Sequence, residues 1–263
     1  MDMKILPLSG ALGAAITEVR LADLAQTEFN QIHQAFLDYC MLVFPGQFLS
    51  IDQHVAYAER WGSFSISPFV SYLDSHPCVL PLFNRGKDNA VTENWHTDSA
   101  FLTEPPALNI LSARQIPVGG DTMWSNQYQS YDRLSEGMKT FLHGVRAEFT
   151  GARLASLVGS DTVPATFHPI VRTHPETDRK SLYLSKPEDS VPRLEGMTPA
   201  ESLPLLHYLY QHSIQPDNLY RHHWQNGDVV MWDNRCTLHY AVHDYGEQTR
   251  EIHRISIKGS IPR

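Results

Sequence analysis

The strongest constraint on this chain is its run of short extended segments. Residues 41–44, 78–83, 108–113, 145–150, 170–173, 181–185, 219–224, 229–232, 238–242 and 252–258 are rich in β-branched and aromatic side chains, as strands are. Gly119-Gly120-Asp121 and Asn226-Gly227-Asp228 mark turns among them. The segments do not alternate regularly with helices, and neither GxGxxG nor GxxxxGK[ST] occurs, so a doubly wound nucleotide fold is disfavoured. The pattern predicts a mainly β fold, a barrel or double sheet with flanking helices.

Four helices are expected around it. Residues 21–40 place Leu24, Phe29, Ile32, Phe36 and Leu37 on one face. Ser50-Ile51-Asp52-Gln53 opens a second helix as a capping box. Thr198-Pro199-Ala200-Glu201 opens a third, running to about 214 with Leu203, Leu206, Tyr210 and Ile214 inward. Residues 131–143 form the fourth. At 263 residues and 42% apolar content the chain can fill one sizeable core, so a single domain over 1–263 is expected.

Charge removes several function classes. With 21 basic and 29 acidic residues the net charge is −8, a poor match for nucleic acid or an anionic membrane. No apolar run reaches the length of a membrane span. The stretch 5–16 is broken by Pro7, Ser9, Gly10 and Gly13 and lacks the form of a signal peptide. Three scattered cysteines suit a reducing cytoplasm better than a disulfide framework.

Fourteen histidines invite a search for a metal site. In His96-Thr97-Asp98 an imidazole and a carboxylate at i and i+2 point to one face of a strand and can grip one ion from one side. His174-Pro175-Glu176 has the same form but lies in a polar hairpin turn. Two histidines and one carboxylate make the facial triad of non-haem Fe(II) oxygenases. The third ligand must come from a distant strand; His222, His223, His239, His243 and His253 are the candidates, with His239 preferred.

Taken together, Asn94-Trp95-His96-Thr97-Asp98, Glu104-Pro105-Pro106, Gly119-Gly120-Asp121-Thr122, Trp232-Asp233-Asn234-Arg235, His239-Tyr240 and Arg250 with Arg254 resemble the taurine/2,4-D (TauD/TfdA-like) family of Fe(II)- and 2-oxoglutarate-dependent dioxygenases. Leu12-Gly13-Ala14-Ala15-Ile16 and Leu42-Val43-Phe44-Pro45-Gly46 are also similar to it. The pieces span nearly the whole chain in the family's order. The resemblance implies a double-stranded β-helix (jelly-roll, cupin-like) core. It implies Fe(II) on His96, Asp98 and His239, with 2-oxoglutarate and O2 as co-substrates. Arg250 would pair with the distal carboxylate of 2-oxoglutarate, and Thr122 would donate its hydroxyl to the same group. Arg254, in step with Arg250 along a strand, would meet the other end of the co-substrate or an anionic group of the substrate. Halogenases of the wider superfamily lack the carboxylate ligand, so Asp98 implies hydroxylation.

The implied reaction hydroxylates a small, anionic organic substrate, releasing succinate and CO2, with C–O, C–S or C–N fragmentation where the product is unstable. Lid segments are expected at about 62–93 and 151–167. Taurine-cleaving relatives carry His-Pro shortly after Trp-Gly; here Ser67-Pro68 follows Trp61-Gly62, which argues against taurine itself. Ser67 and Thr92 are candidate substrate contacts. Trp95 and Trp232 read as core, Asp121 as a turn former, Cys236 as a buried small residue, and His243, Asp244 and Tyr245 as structural. A homo-oligomer (dimer or tetramer) is expected by analogy. The alternatives are a zinc-dependent hydrolase or cupin-like isomerase on the same metal ligands, or a non-catalytic binding module.

Overall fold

The computed structural model describes residues 3–85, 92–157 and 159–263. Residues 86–91 of the first expected lid and Val158 of the second lie outside the described residues. In chain order the first half contains β1 (Lys4–Pro7), β2 (Ala14–Thr17), α1 (Gln26–Tyr39), β3 (Met41–Phe44), α2 (Ile51–Glu59), β4 (Leu80–Arg85), β5 (Leu108–Gln115) and β6 (Thr122–Asn126). Then follow α3 (Gln127–Asp132), α4 (Glu136–Leu142), β7 (Arg146–Thr150), α5 (Ala152–Leu157), β8 (Ala165–Pro169), β9 (Val171–Thr173) and β10 (Lys180–Leu182). The last stretch holds α6 (Pro199–Ser213), β11 (Leu219–His222), β12 (Val229–Asp233), β13 (Thr237–Ala241) and β14 (Thr249–Ile257).

Strand alternation sets the layers. A seven-stranded sheet runs β1-β2-β3-β12-β5-β14-β4, and a three-stranded sheet runs β11-β6-β13. On the large sheet Leu42, Phe44, Leu108, Ile110, Val229, Met231, Ile255 and Ile257 turn to α1 and α2, forming one core. Their neighbours Met41, Val43, Leu111, Ala113, Val230, Trp232 and Ile252 turn the other way, against Trp124 of the small sheet. The Trp124 and Trp232 rings meet across the gap at 5.6 Å. Burial on both faces is why β3 is an unbroken apolar run. A third core gathers β7 to β10 and α6. This is the double-stranded β-helix with flanking helices.

Both capping boxes form. Ser50 accepts from Gln53 N–H, and Thr198 accepts from Glu201 N–H with Pro199 in the first turn. On α6 the buried residues include Leu206, Leu209 and Tyr210, while Leu203 and Ile214 are half-buried. Three expectations need correction. The helix expected at 21–40 is a short 3-10 turn (Leu21–Asp23) and then α1. The one expected at 131–143 is two helices, because Ser135 caps α4 by accepting from Met138 N–H. Strands β1, β2, β6 and β8 were not expected; β8 and α5 occupy much of the second lid segment. Among the described residues no helix is long and apolar enough to cross a membrane.

His54 on α2 makes stability acid-sensitive. It is fully buried, and among the described residues neither ring nitrogen has a partner at hydrogen-bond distance and angle. Burial, then the nearby Arg114, lowers its imidazole to about 3. The folded state therefore refuses a proton that the unfolded chain takes up near pH 6.5. The sign is a loss of stability as pH falls from about 6.5 toward 3, roughly 2 kcal/mol by pH 5. Urea unfolding at pH 7.5 and pH 5 is expected to show this loss in wild type and a flatter profile in His54→Leu. Equal pH slopes in the two proteins would refute it.

Candidate active site and metal centre

The site starts from a pair of strands that meet only once. His96 and His239 form an isolated antiparallel bridge, with N–H to C=O bonds of 3.0 Å in both directions. Directly opposed residues send their side chains to one face, and the two imidazoles lie 4.1 Å apart. His239 is held by β13, which pairs with β6 and sets it opposite Trp124. His96 is held from the other side, where Trp95 N–H donates to Tyr210 Oη of α6 at 3.1 Å. The expectation of a regular strand through 96–98 is only half met: beyond the bridge the chain turns at Asp98.

Asp98 closes the group. Its Oδ1 lies 3.7 Å from His96 Nε2 and its Oδ2 lies 3.7 Å from His239 Nε2. One ligand atom of each residue falls within 4.8 Å of the others, and among the described residues no other such trio forms. Ligands about 2.1 Å from an ion and at right angles are about 3.0 Å apart, so the three side chains draw together around an ion. His96 Nδ1 lies 2.8 Å from the Asn94 carbonyl, a contact that orients the ring with Nε2 toward Asp98. Burial alone would raise the Asp98 carboxyl, but Arg254, His239 and His96 outweigh it and hold the group well below the usual carboxylate range. Burial, and then His96, lowers His239 to about 3. At neutral pH the centre is an ionised carboxylate and a neutral His239, the forms that ligate metal. His239 Nδ1 is buried without a partner.

The other histidine candidates are engaged elsewhere. His222 pairs with Asp228 at 3.2 Å, His223 with Asp121 at 2.8 Å, His243 with Glu93 at 3.5 Å and His253 with Glu251 at 2.9 Å. His174 of the hairpin motif is fully buried against Asp233 at 2.9 Å, and Glu176 holds Arg235 at 2.7 Å. That motif ties the β9–β10 hairpin to the turn after β12.

Arg250, Ile252 and Arg254 share the inward face of β14, where Ile252 joins the core between the sheets. Arg250 is 5% exposed, and no carboxylate of the described residues lies within 4.0 Å of it. Burial lowers it to about 10, so it remains a cation. Its Nε–H donates to Gly120 C=O at 2.9 Å. That approach needs glycine: φ is +72°, and a Cβ would meet Arg250 Cδ at 2.9 Å. Gly120 N–H in turn donates to Asp244 at 2.7 Å, and Asp121 takes Arg221 Nε–H at 2.6 Å. Thr122 is buried, and its hydroxyl oxygen accepts Trp224 Nε1–H at 3.0 Å, which leaves its own proton to give. A desolvated cation with a hydroxyl donor close by on the chain suits a carboxylate brought in from solution.

Arg254 donates from Nη1 to Asp98 Oδ2 at 2.9 Å, placing it beside the trio rather than beside Arg250's turn. Ser67 and Thr92 are half-buried, and neither makes a hydrogen bond to the trio or to Arg254. The Ser67 hydroxyl accepts Phe69 N–H at 3.3 Å within its own loop. Both segments expected as lids reach Phe101, three residues after Asp98. Phe69 meets its ring at 6.0 Å, and Gly151 and Pro164 pack behind it. Trp224, Asp244 and Asn94 were not foreseen as supporting residues. Trp224 and Asp244 act through hydrogen bonds to groups more than a hundred residues away, which leave no spacing signal, and Asn94 acts through its backbone carbonyl, which any residue would supply.

The sequence model of the family described as "Taurine catabolism dioxygenase TauD, TfdA family" matches residues 4–256. The chain belongs to this family. An alkylsulfatase of Acinetobacter baylyi is 34% identical over 279 residues, covering 99% of this chain and 86% of that protein. An (S)-phenoxypropionate/alpha-ketoglutarate-dioxygenase of Sphingobium herbicidovorans is 33% identical, covering 90% of this chain and 88% of that one. The crystal structure of a putative alpha-ketoglutarate-dependent taurine dioxygenase from Burkholderia xenovorans superposes with a TM-score of 0.89 at 32% identity, over 99% of this chain and 94% of that one. The TauD/TfdA protein described here is therefore an Fe(II)- and 2-oxoglutarate-dependent dioxygenase that uses O2. The residues fit that chemistry: two imidazoles gathered around an ionised carboxylate suit a cation, and the buried guanidinium suits an anion.

Proposed function

We propose that this dioxygenase hydroxylates a small organic anion, with His96, Asp98 and His239 as the iron ligands. When bound, Fe(II) with 2-oxoglutarate and O2 supplies the oxidation, converting 2-oxoglutarate to succinate and CO2 and inserting one oxygen atom into a substrate C–H bond. Everything else is the work of the protein. Arg250 and Thr122 grip the distal carboxylate of 2-oxoglutarate and so orient its other end toward the trio. The presence of a two-His, one-carboxylate group and of this guanidinium, which has no acidic partner among the described residues, on the facing sides of the two sheets carries the reading. A zinc hydrolase, an isomerase or a binding module would have no use for Arg250 as it stands.

Arg254 serves an anionic group next to the iron, on the substrate or at the keto-acid end of the co-substrate. Relatives named for sulfate esters and phenoxy acids support an anionic substrate. Hydroxylation beside an ester or ether oxygen leaves a hemiacetal-type carbon that collapses with C–O cleavage. The aromatic pair Phe69 and Phe101 supports an organic tail longer than taurine's. We further infer one oxygenase domain over 1–263 with lids near 62–93 and 151–167, a homo-oligomeric state, and a cytoplasmic location, which suits three free cysteines.

Anaerobic addition of Fe(II) and 2-oxoglutarate is expected to produce a weak visible charge-transfer band that neither gives alone. Titration with a panel of sulfate esters, sulfonates, aryloxy acids and simple carboxylates is expected to shift the band for one class. Turnover in chloride buffer is expected to yield a hydroxylated or fragmented product and no chlorinated one. Arg254→Ala is expected to raise KM for the true substrate if it meets that anion, and KM for 2-oxoglutarate if it meets the keto acid. A metal-loaded protein with no band would refute the oxygenase site, and unchanged KM values for both compounds would remove Arg254 from it.

A further inference from the structure

The run Trp232-Asp233-Asn234-Arg235 divides into different tasks. Trp232 fills the core between the sheets, and Asp233 with Arg235 forms the ion-pair network that receives His174 and Glu176. Asn234 has neither role. It is fully buried, and all three of its side-chain hydrogen bonds reach backbone on or near the Asp98 turn. Its Oδ1 accepts Asp98 N–H at 3.0 Å. Its Nδ2 donates to the carbonyls of Asp98 and Pro106, each at 3.0 Å.

This arrangement answers a local problem. The bridge that aligns His96 with His239 ends before Asp98, so the backbone N–H and C=O of Asp98 have no strand partner. A buried backbone group without a partner is costly, and a loosely held backbone would let the carboxylate wander. One planar amide, with donor and acceptor side by side, closes both bonds at once. It fixes the Asp98 main chain from the β12 side, while Arg254 fixes the carboxylate from β14. Asn234 is itself anchored, its N–H donating to Ala107 C=O at 2.9 Å.

We propose that Asn234 is the positioning residue of the metal centre, holding Asp98 at the reach needed for its carboxylate to share an ion with His96 and His239. The inference rests on the reading of that trio as the iron site. A purely structural amide offers a control: Asn218 is equally buried and holds Ser125, Asn126, Ser130 and Ser213, away from the trio.

The test measures Fe(II) affinity anaerobically, together with thermal unfolding of the metal-free protein, for wild type, Asn234→Ala, Asn234→Asp and Asn218→Ala. Asn234→Ala is expected to weaken Fe(II) binding by roughly 10–100-fold, the usual cost of removing support behind a metal ligand. It is also expected to consume 2-oxoglutarate in excess of product. Asn234→Asp keeps the acceptor for Asp98 N–H but loses the donor, and is expected to weaken binding as well. Asn218→Ala is expected to lower the unfolding temperature yet bind Fe(II) within about twofold of wild type. If Asn234→Ala fails to fold, Asn234→Asp carries the comparison. Wild-type affinity in whichever Asn234 variant folds, with only a stability loss, overturns the proposal alone. A wild-type protein that binds no Fe(II) overturns the metal-centre reading and this proposal with it.

Discussion

Asp98→Ala is expected to cost roughly 10³-fold in coupled turnover, because in the proposed metal centre it removes one of three ligands rather than a group behind them. The loss has two parts. The ion loses its only anionic protein ligand, and Arg254 loses the oxygen it donates to at 2.9 Å. Arg254 Nε is already buried without a partner, so the variant leaves a largely uncompensated guanidinium inside the barrel. Asp98→Asn separates the two effects. It keeps an acceptor for Arg254 but no negative charge, so it should retain more thermal stability than the alanine variant while remaining inactive. Fe(II) titration with the charge-transfer band reports the metal, and thermal unfolding reports the fold. An Asp98→Ala enzyme within tenfold of wild type in coupled product formation would show that Asp98 is not a ligand.

The second large effect is on the co-substrate. Two charge-assisted hydrogen bonds from Arg250 to a carboxylate are together worth about 3–5 kcal/mol, so Arg250→Met should raise KM for 2-oxoglutarate by more than about 10²-fold. Saturating 2-oxoglutarate should restore most of kcat, because Arg250 does not touch the trio. Arg250→Lys should also fail in part. A single ammonium cannot keep the bond to Gly120 C=O and still offer a planar fork. Stability should move the other way. A desolvated cation with no acidic partner among the described residues is a burden on the protein before the co-substrate binds, and an apolar side chain removes it. Arg250→Met is therefore expected to raise the unfolding midpoint by a few degrees while abolishing tight 2-oxoglutarate use. An unchanged KM for 2-oxoglutarate would place the dicarboxylate elsewhere.

Parts of this architecture are written in local sequence. The boxes at Ser50 and Thr198 announce α2 and α6 because capping is a contact between residues three apart. Strand β3 is readable because burial on both faces demands a continuous apolar run. Strand β6 is not readable, although Thr122 stands on it. Its Ser125 and Asn126 are buried and satisfied by hydrogen bonds to Ser213 and Ala11, so the alternation that marks a strand is missing. The break between α3 and α4 follows from caps at Asn126 and Ser135; Asn126 three residues before Gln129 was the available signal.

The site divides in the same way. The order and spacing of His96, Asp98, His239, Arg250 and Arg254 are properties of the sequence, as is the even offset that puts both arginines on one face of β14. From these the ligand chemistry follows, because ligand type and strand parity are local facts, and the motifs around them carry the resemblance to the family. Residue spacing could not choose among five histidines for the third ligand; that depended on which strand end meets His96. Nor could it show that Arg250 has no acidic partner among the described residues, or that Asn234 closes the Asp98 turn. Each of these is a contact between segments remote in sequence, or the lack of one. Such contacts are set by how two sheets and their connections pack, and only the folded chain decides them.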